Sequence, residues 1–378
     1  MSRYRFMRNL VLSGSVTLLA SLPMVDPSVA QAGATIKIDE VRSLNIGMRL
    51  RSSFNMQEDA APSGKDWSKE FALDNFHFYL SGQLHQGITF EFNTDYNSRM
   101  SNTPNESVRL LDGVIKFRFN DYVNLWVGRF LRPSDRSNLS GPFYLNAWDF
   151  PFIHMYPNVF SGRDDGASLW GQVGGGKFKY QVGAFNGTRG GSNQKDNLLY
   201  AGRLTLNLWD PEPGYYNSST YYGAANILAV GLAGMTQKNN AGTVNTPGDF
   251  TGWNVDLLAE RTLGEAGVAT LEGAYYHYDK NGVDKLNEGK GYFALASYLL
   301  PWKVGGDKIQ GQFQPGIRYQ QFDNEDLSTN KHSRLDISLG YIIAGHNARI
   351  TAAYSKDDPA AAGAKKFDIF KIGLQFQI

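Results

Sequence analysis

The sequence predicts an all-β fold: a 16-stranded antiparallel transmembrane β-barrel with a long third loop folded into its lumen. Three observations carry that expectation. Segments of strand length alternate apolar and polar residues from Leu44 to the last residue. Their connections alternate between short turns and longer polar loops. Beyond the N-terminal region no run approaches the ~18 consecutive apolar residues of a membrane helix, so only a closed barrel could cross a bilayer here.

The final segment, FDIFKIGLQFQI (residues 367–378), shows the alternation plainly. Successive side chains of a strand point to opposite faces, which places Phe370, Ile372, Leu374, Phe376 and Ile378 in an apolar medium and Lys371, Gln375 and Gln377 in a polar one. A soluble sandwich also offers both media. A hydrophobic content of 42% with mean hydropathy −0.36 reads as soluble, yet alternating strands give the same average, and 13% aromatics with 41 glycines are rich for a soluble enzyme. The competing reading, a secreted protein of two or more sandwich domains, requires no systematic alternation of loop length.

The N-terminus carries Arg3, Arg5 and Arg8, an apolar run from Leu10 to Leu22, and small residues at Ser28, Ala30 and Ala32. This order predicts a secretory signal over residues 1–30, cleaved near 30–32, with the barrel over 31–378. The run falls short of the ~20 residues that a retained anchor helix needs. Removing three arginines and Asp26 takes the formal charge from +1 to −1, which argues against a nucleic-acid partner. The chain has no cysteine, so it has neither a disulfide framework nor a thiolate metal site.

The first strand places Leu44, Ile46, Met48, Leu50, Phe54 and Met56 on one face and Asn45, Arg49, Arg51 and Asn55 on the other. A hairpin follows: Phe76, Phe78, Leu80 and Leu84 alternate up to Gln86-Gly87, and Ile88, Phe90, Phe92 and Tyr96 alternate after it. Further strands are expected near 108–119, 122–130, 166–173, 177–185, 197–208, 227–236, 251–262, 268–278, 290–300, 309–322, 333–343, 348–354 and 366–378, which makes sixteen. Only the connection at 209–226, with Pro211, Pro213 and Gly214, is long where a short one is due. An even strand count with short turns at one end and long loops at the other is the signature of an outer-membrane barrel of a Gram-negative bacterium. Trp209 and Trp302, beside short-side connections, fit an interfacial aromatic girdle.

A barrel of this size encloses an aqueous channel, so function is expected in the lumen. The longest connection, about 131–165, carries Phe143, Tyr144, Trp148, Phe150, Phe152, Ile153, Met155 and Tyr156, too apolar for a solvated surface loop. It is expected to pack inside the barrel and narrow it. The stretches VGRFLRPSD, SGRDDGASLWGQVGGGKFKYQVGAFNG and YAGRLTLNLW resemble the phosphate-selective porin O and P family, with its G-[RK]-F-x-x-P, R-D-x-G and Y-x-x-G-x-F-N-G segments. The resemblance covers the middle third well and the later strands loosely. It implies a sixteen-stranded outer-membrane channel, usually a trimer, with the third loop folded inside. This chain departs from the family in ending on Phe376-Gln377-Ile378 rather than on a terminal aromatic.

The polar phase supplies Arg49, Arg51, Lys116, Arg118, Lys179, Arg203, Arg318, Arg349 and Lys371 as lumen cations, against Glu91, Asp95, Asp112, Asp256, Glu260, Glu272 and Asp336. The long loop and its flanks add Arg129, Arg132, Arg136 and Arg163 against Asp135, Asp149, Asp164 and Asp165. Arg and Lys select anions by replacing lost hydration, and Arg can grip an oxyanion through two parallel hydrogen bonds. Arg49 with Arg51, and Lys116 with Arg118, stack about 7 Å apart on one strand face. Arg132 and Arg136, with Lys116 and Arg118, are the expected narrowest zone. Arg129 shares a phase with Val123, Leu125 and Val127, which faces it to lipid unless the strand has ended by then.

The near-match GQVGGGKF lacks the hydroxyl of a phosphate-cradling loop, with Phe178 in its place and a strand after it. His77 and His85 lie about 27 Å apart along one strand face, too far to share a metal. Neither a cofactor nor an enzyme activity is expected. The expected function is a water-filled channel for small solutes, above all anions such as phosphate or related oxyanions. The alternatives are a non-selective general-diffusion pore and a structural sheath around a periplasmic electron-transfer partner.

Overall fold

A computed structural model describes residues 33–96, 108–158, 160–284, 287–325, 331–360 and 364–378; the expected signal at 1–30 and its cleavage at 30–32 lie outside them. The strands are β1 (Ala34–Lys37), β2 (Ser43–Gln57), β3 (Ser68–His85), β4 (Ile88–Tyr96), β5 (Arg109–Arg118), β6 (Asn124–Leu131), β7 (Arg163–Val173), β8 (Phe178–Phe185) and β9 (Leu199–Asn207). They continue with β10 (Ile227–Gly242), β11 (Pro247–Thr262), β12 (Val268–Asp279), β13 (Gly289–Leu299), β14 (Lys303–Val304), β15 (Gly311–Asn324), β16 (Lys331–Ile342), β17 (Ala348–Asp358) and β18 (Phe367–Gln377). Sixteen of them pair antiparallel with their neighbours around a ring, as the alternation predicts. The short strands β1 and β14 lie alongside β2 and β15.

The ring closes where β18 pairs with β2, from Ile369 opposite Gln57 to Gln377 opposite Arg49. Met48 and Ile378 complete it with reciprocal backbone hydrogen bonds of 3.1 and 2.9 Å. Tyr79 lies over Gly47 and donates its hydroxyl to the Ile378 carbonyl at 2.8 Å. A Cβ at Gly47 would collide with that hydroxyl and with the Ile378 carbonyl, so this position requires glycine.

Burial is inverted relative to a soluble protein. On β18, Phe370, Ile372, Leu374 and Phe376 are exposed on the outer face, while Lys371, Gln375 and Gln377 are buried on the inner one. The same split runs around the barrel: Ile115, Val127, Leu169, Val182, Leu204 and Leu232 face out, and Lys179, Arg203, Asp256 and Arg318 face in. So large an apolar surface is stable only against lipid, and the closed ring leaves no unpaired edge within it. Phe119, Tyr122 and Trp302 stand exposed at the short-turn end, where amphipathic rings settle at a membrane surface.

Candidate functional site

The connection from β6 to β7 turns into the barrel. Its one helical turn, α1 (Arg136–Ser140), is capped by Asp135, which accepts from the Asn138 backbone N–H at 3.2 Å, and it ends on Gly141 at φ 64°. The apolar side chains that would be misplaced in water are buried: Leu139, Phe143, Leu145, Trp148, Ile153 and Tyr156 are all under 4% exposed. Backbone groups inside a barrel still need partners, and the inward-facing wall supplies them. Arg203 donates to the Ser134 carbonyl at 2.9 Å, Arg349 to that of Leu145 at 2.8 Å, Arg318 to that of Asp149 at 2.8 Å, and Gln375 to that of Phe143 at 2.9 Å. Arg51 donates to the Trp148 carbonyl, and Lys371 pairs with the Asp149 carboxylate. Trp148 lies directly over Gly373, where a Cβ would clash with its ring.

A second segment enters from the opposite, short-turn end. The connection from β9 to β10, residues 208–226, buries Glu212, Tyr215, Ser219 and Thr220. Its anomalous length is legible in the sequence; its destination is not. Tyr215 stacks on Trp126 at 4.3 Å and meets Trp170 and Phe130 edge-on. Glu260 holds the segment by accepting from the Thr220 hydroxyl and from the backbone N–H groups of Tyr221 and Gly223 at 2.7–2.9 Å. Lys179 donates to the Tyr216 carbonyl at 3.2 Å. The two inserts meet at Arg136, which grips Glu212 through two hydrogen bonds of 2.8 and 2.7 Å and donates to the Ser218 carbonyl at 2.7 Å. Burial alone would raise the Glu212 carboxyl, but Arg136 outweighs it and holds the group down at about 2.

The ten cations singled out from the sequence therefore divide into groups. Arg51, Lys179 and Arg203 face inward as expected, but their donors hold the two inserts. Arg132, 1% exposed, pairs with Asp164 at 2.9 Å, and burial lowers its guanidinium to about 10 against the pull of that carboxylate. Arg136 is equally buried, so neither arginine of the expected narrowest zone touches open space. Arg129 is a correction: β6 runs on to Leu131, and Arg129 lies opposite Gly113 and Asp165 on the outer face, bonding Asp165 at 2.7 and 2.8 Å.

The remaining four border the unfilled lumen. A cavity of about 70 Å³ is lined by Arg49, His77, Glu91, Asp112, Phe143 and Arg163. A second space of about 240 Å³ lies on the short-turn side, lined by Gln83, Thr89, Lys116, Arg118, Asn124 and Gly214. The Lys116–Glu91 ion pair, at 2.6 Å, joins their linings. Arg163 pairs with Asp112 at 3.1 Å and Arg118 with Asp121 at 3.0 Å. Arg49 differs: its guanidinium sits over the rings of Tyr79, Phe143 and Tyr144 at 4.9, 5.7 and 5.6 Å, and among the described residues no carboxylate pairs with it.

The chain matches no family model. An uncharacterized protein of Aquifex aeolicus is 27% identical over 261 residues, 61% of this chain and 58% of that one, so this chain spans somewhat over half the length of the curated relative it matches. Among solved structures, an anion-selective porin from Comamonas acidovorans superposes with a TM-score of 0.57 at 12% identity, covering 89% of this chain and 100% of that one. Salmonella typhi OmpF in complex with daunomycin gives 0.58 at 11% identity over 91% and 100%. In-vitro-folded Vibrio cholerae OmpT in its trimer form gives 0.55 at 14% identity over 90% and 100%. The chain thus has the sixteen-stranded barrel fold of Gram-negative outer-membrane porins.

Proposed function

We propose that this chain is an outer-membrane channel for small solutes that prefers anions, phosphate or a related oxyanion among them, and that it works as a homotrimer after export on the signal at residues 1–30. The observation that carries the anion preference is Arg49. Among the described residues, every other lysine or arginine lining the two open spaces has a carboxylate partner, so the residual charge of that lining is that of Arg49. The motif resemblance to phosphate-selective porins supports the same sign. The two inserts occupy the room a periplasmic electron carrier would need, which favours a channel over a sheath.

The test is conductance of the purified protein in planar bilayers across a KCl gradient, with and without phosphate. Steady openings with an anion-selective reversal potential are expected. A unit charge a few Å from the path in water-like surroundings is worth roughly 1 kcal/mol, so Arg49→Gln should lower the anion-to-cation preference about fivefold. Unselective wild-type openings would reduce the protein to a general-diffusion pore, and silence would favour the filled-sheath reading.

A further inference from the structure

Arg129 and Asp165 pose a problem for a lipid-facing wall. They lie across from each other on neighbouring strands, side chains outward, 25% and 42% exposed. Arg129 is the sixth residue of an eight-residue strand that starts at the short-turn end, so it stands within the wall rather than on a loop. Around the pair the outer surface is apolar: Ile115, Val127, Leu169 and Val182 are all exposed. Ionised side chains in such a band are unfavourable against hydrocarbon.

The wall is also lowest here. β6 and β8 have eight residues each and β9 has nine, whereas β10 and β11, which follow β9 around the ring, have sixteen. Eight residues at ~3.3 Å, tilted by ~40°, rise only ~20 Å, short of the ~25 Å apolar band of such barrels; sixteen rise ~40 Å. The low face is flat as well, because Gly113 lies across from Arg129, and Ala167 and Ala184 face each other on β7 and β8. Small residues let another backbone approach closely.

We infer that the outer face of β5–β8 is where copies of this chain dock on one another. The occupant is a second copy because it brings the same pair of opposite charges: around a three-fold axis, three Arg129–Asp165 pairs set each guanidinium next to a neighbour's carboxylate. The docked copies also replace lipid where the wall is too low to match it. This rests on the homotrimer of the proposed function and adds the face that builds it.

The chain has no cysteine, so single cysteines report cleanly. Ala167→Cys and Val127→Cys, with Ala294→Cys on the outer face of β13 as control, are each made in the full chain, treated with a bismaleimide in outer membranes, and run on denaturing gels. Folding of each variant is checked by its heat-dependent gel mobility. Covalent multimers are expected from a folded variant at 167 or 127 and none at 294. Multimers at 294 but at neither 167 nor 127, with a trimer mass by light scattering in detergent, would overturn this face and leave the trimer standing. A monomer mass for the wild type would overturn the trimer itself.

Discussion

Glu212→Gln removes the carboxylate on which the two inserts converge while keeping its shape. In the wild type Glu212 takes two hydrogen bonds from Arg136 and one from the Tyr221 hydroxyl at 2.5 Å, with both members of the ion pair out of contact with water. Removing one partner of a buried pair typically costs about 3–5 kcal/mol, because the other charge stays behind without compensation. Asp256 cannot take over: it lies 4.0 Å from Arg136 and is already bound to Arg203 at 2.5 and 2.8 Å. The Glu212 carboxyl gives a second route to the magnitude. Its fall from 4.5 to about 2 corresponds to about 3 kcal/mol, present above pH ~4.5 and lost as the pH drops towards ~2. Urea unfolding in detergent micelles at neutral pH should show a loss of about 3 kcal/mol, and single-channel records should show larger, noisier openings as the inserts part. The apolar double replacement Arg136→Met with Glu212→Met should recover most of the stability, since no charge is stranded. An unchanged unfolding midpoint together with unchanged conductance in Glu212→Gln would refute the role of this pair as the latch between the inserts.

Three further outcomes follow from the packing. Gly373→Val should push Trp148 off its seat and raise single-channel conductance, since the ring has no space beyond a glycine there; equal conductance would mean that the loop does not set the pore. Gly47→Val should block Tyr79 from Ile378 at the closing seam and cut the yield of heat-modifiable folded barrel in refolding trials. His346 lies between the Phe143 carbonyl at 3.1 Å and the Thr220 carbonyl at 2.9 Å, and burial with help from Arg349 lowers its pKa from 6.5 to about 4. Its folded value lies below its unfolded one, so stability should be complete above pH ~6.5 and decline towards pH ~4. His346→Gln should flatten that part of the urea midpoint–pH profile; an unaltered slope would assign it to other groups.

Strand number and face assignment were legible in the sequence wherever lipid and lumen impose opposite chemistry. On β18 every outward residue from Phe370 to Ile378 is apolar and the pattern admits one phase. The signal weakens where strands leave the membrane: β3 begins at Ser68, well before the residue-76 start of the alternation, because Lys69 and Glu70 lie beyond the apolar band. A register shift opposite Arg51 and Ser52 adds a phase change that no simple period reveals. The phase of Arg129 was readable and pointed outward, and its partner Asp165 follows from the register. The destinations of Arg203, Arg318 and Arg349 were not, because they bind backbone carbonyls of a loop, and a carbonyl leaves no mark in the sequence.

Charge in the lumen depends on what each group already binds. Summing inward cations against inward carboxylates treats each as a free charge acting on a passing ion, and nine against seven looks like a weak field. In the folded lumen most of those groups are spent on architecture. Arg51, Arg203, Arg318, Arg349 and Lys371 fasten the loop. Glu212 and Glu260 fasten the segment that meets it. A charge bonded to the loop and closed to water has little left to offer a solute, whatever its sign. In the proposed channel, selectivity would then fall to the groups that line open space without a partner among the described residues. Arg49, propped on three aromatic rings with no carboxylate partner among the described residues, would under the proposed function exchange hydration for an anion without breaking an ion pair. For the proposed channel, the buried arginines would fix where the passage runs, and Arg49, which has no carboxylate partner among the described residues, would set which ions take it.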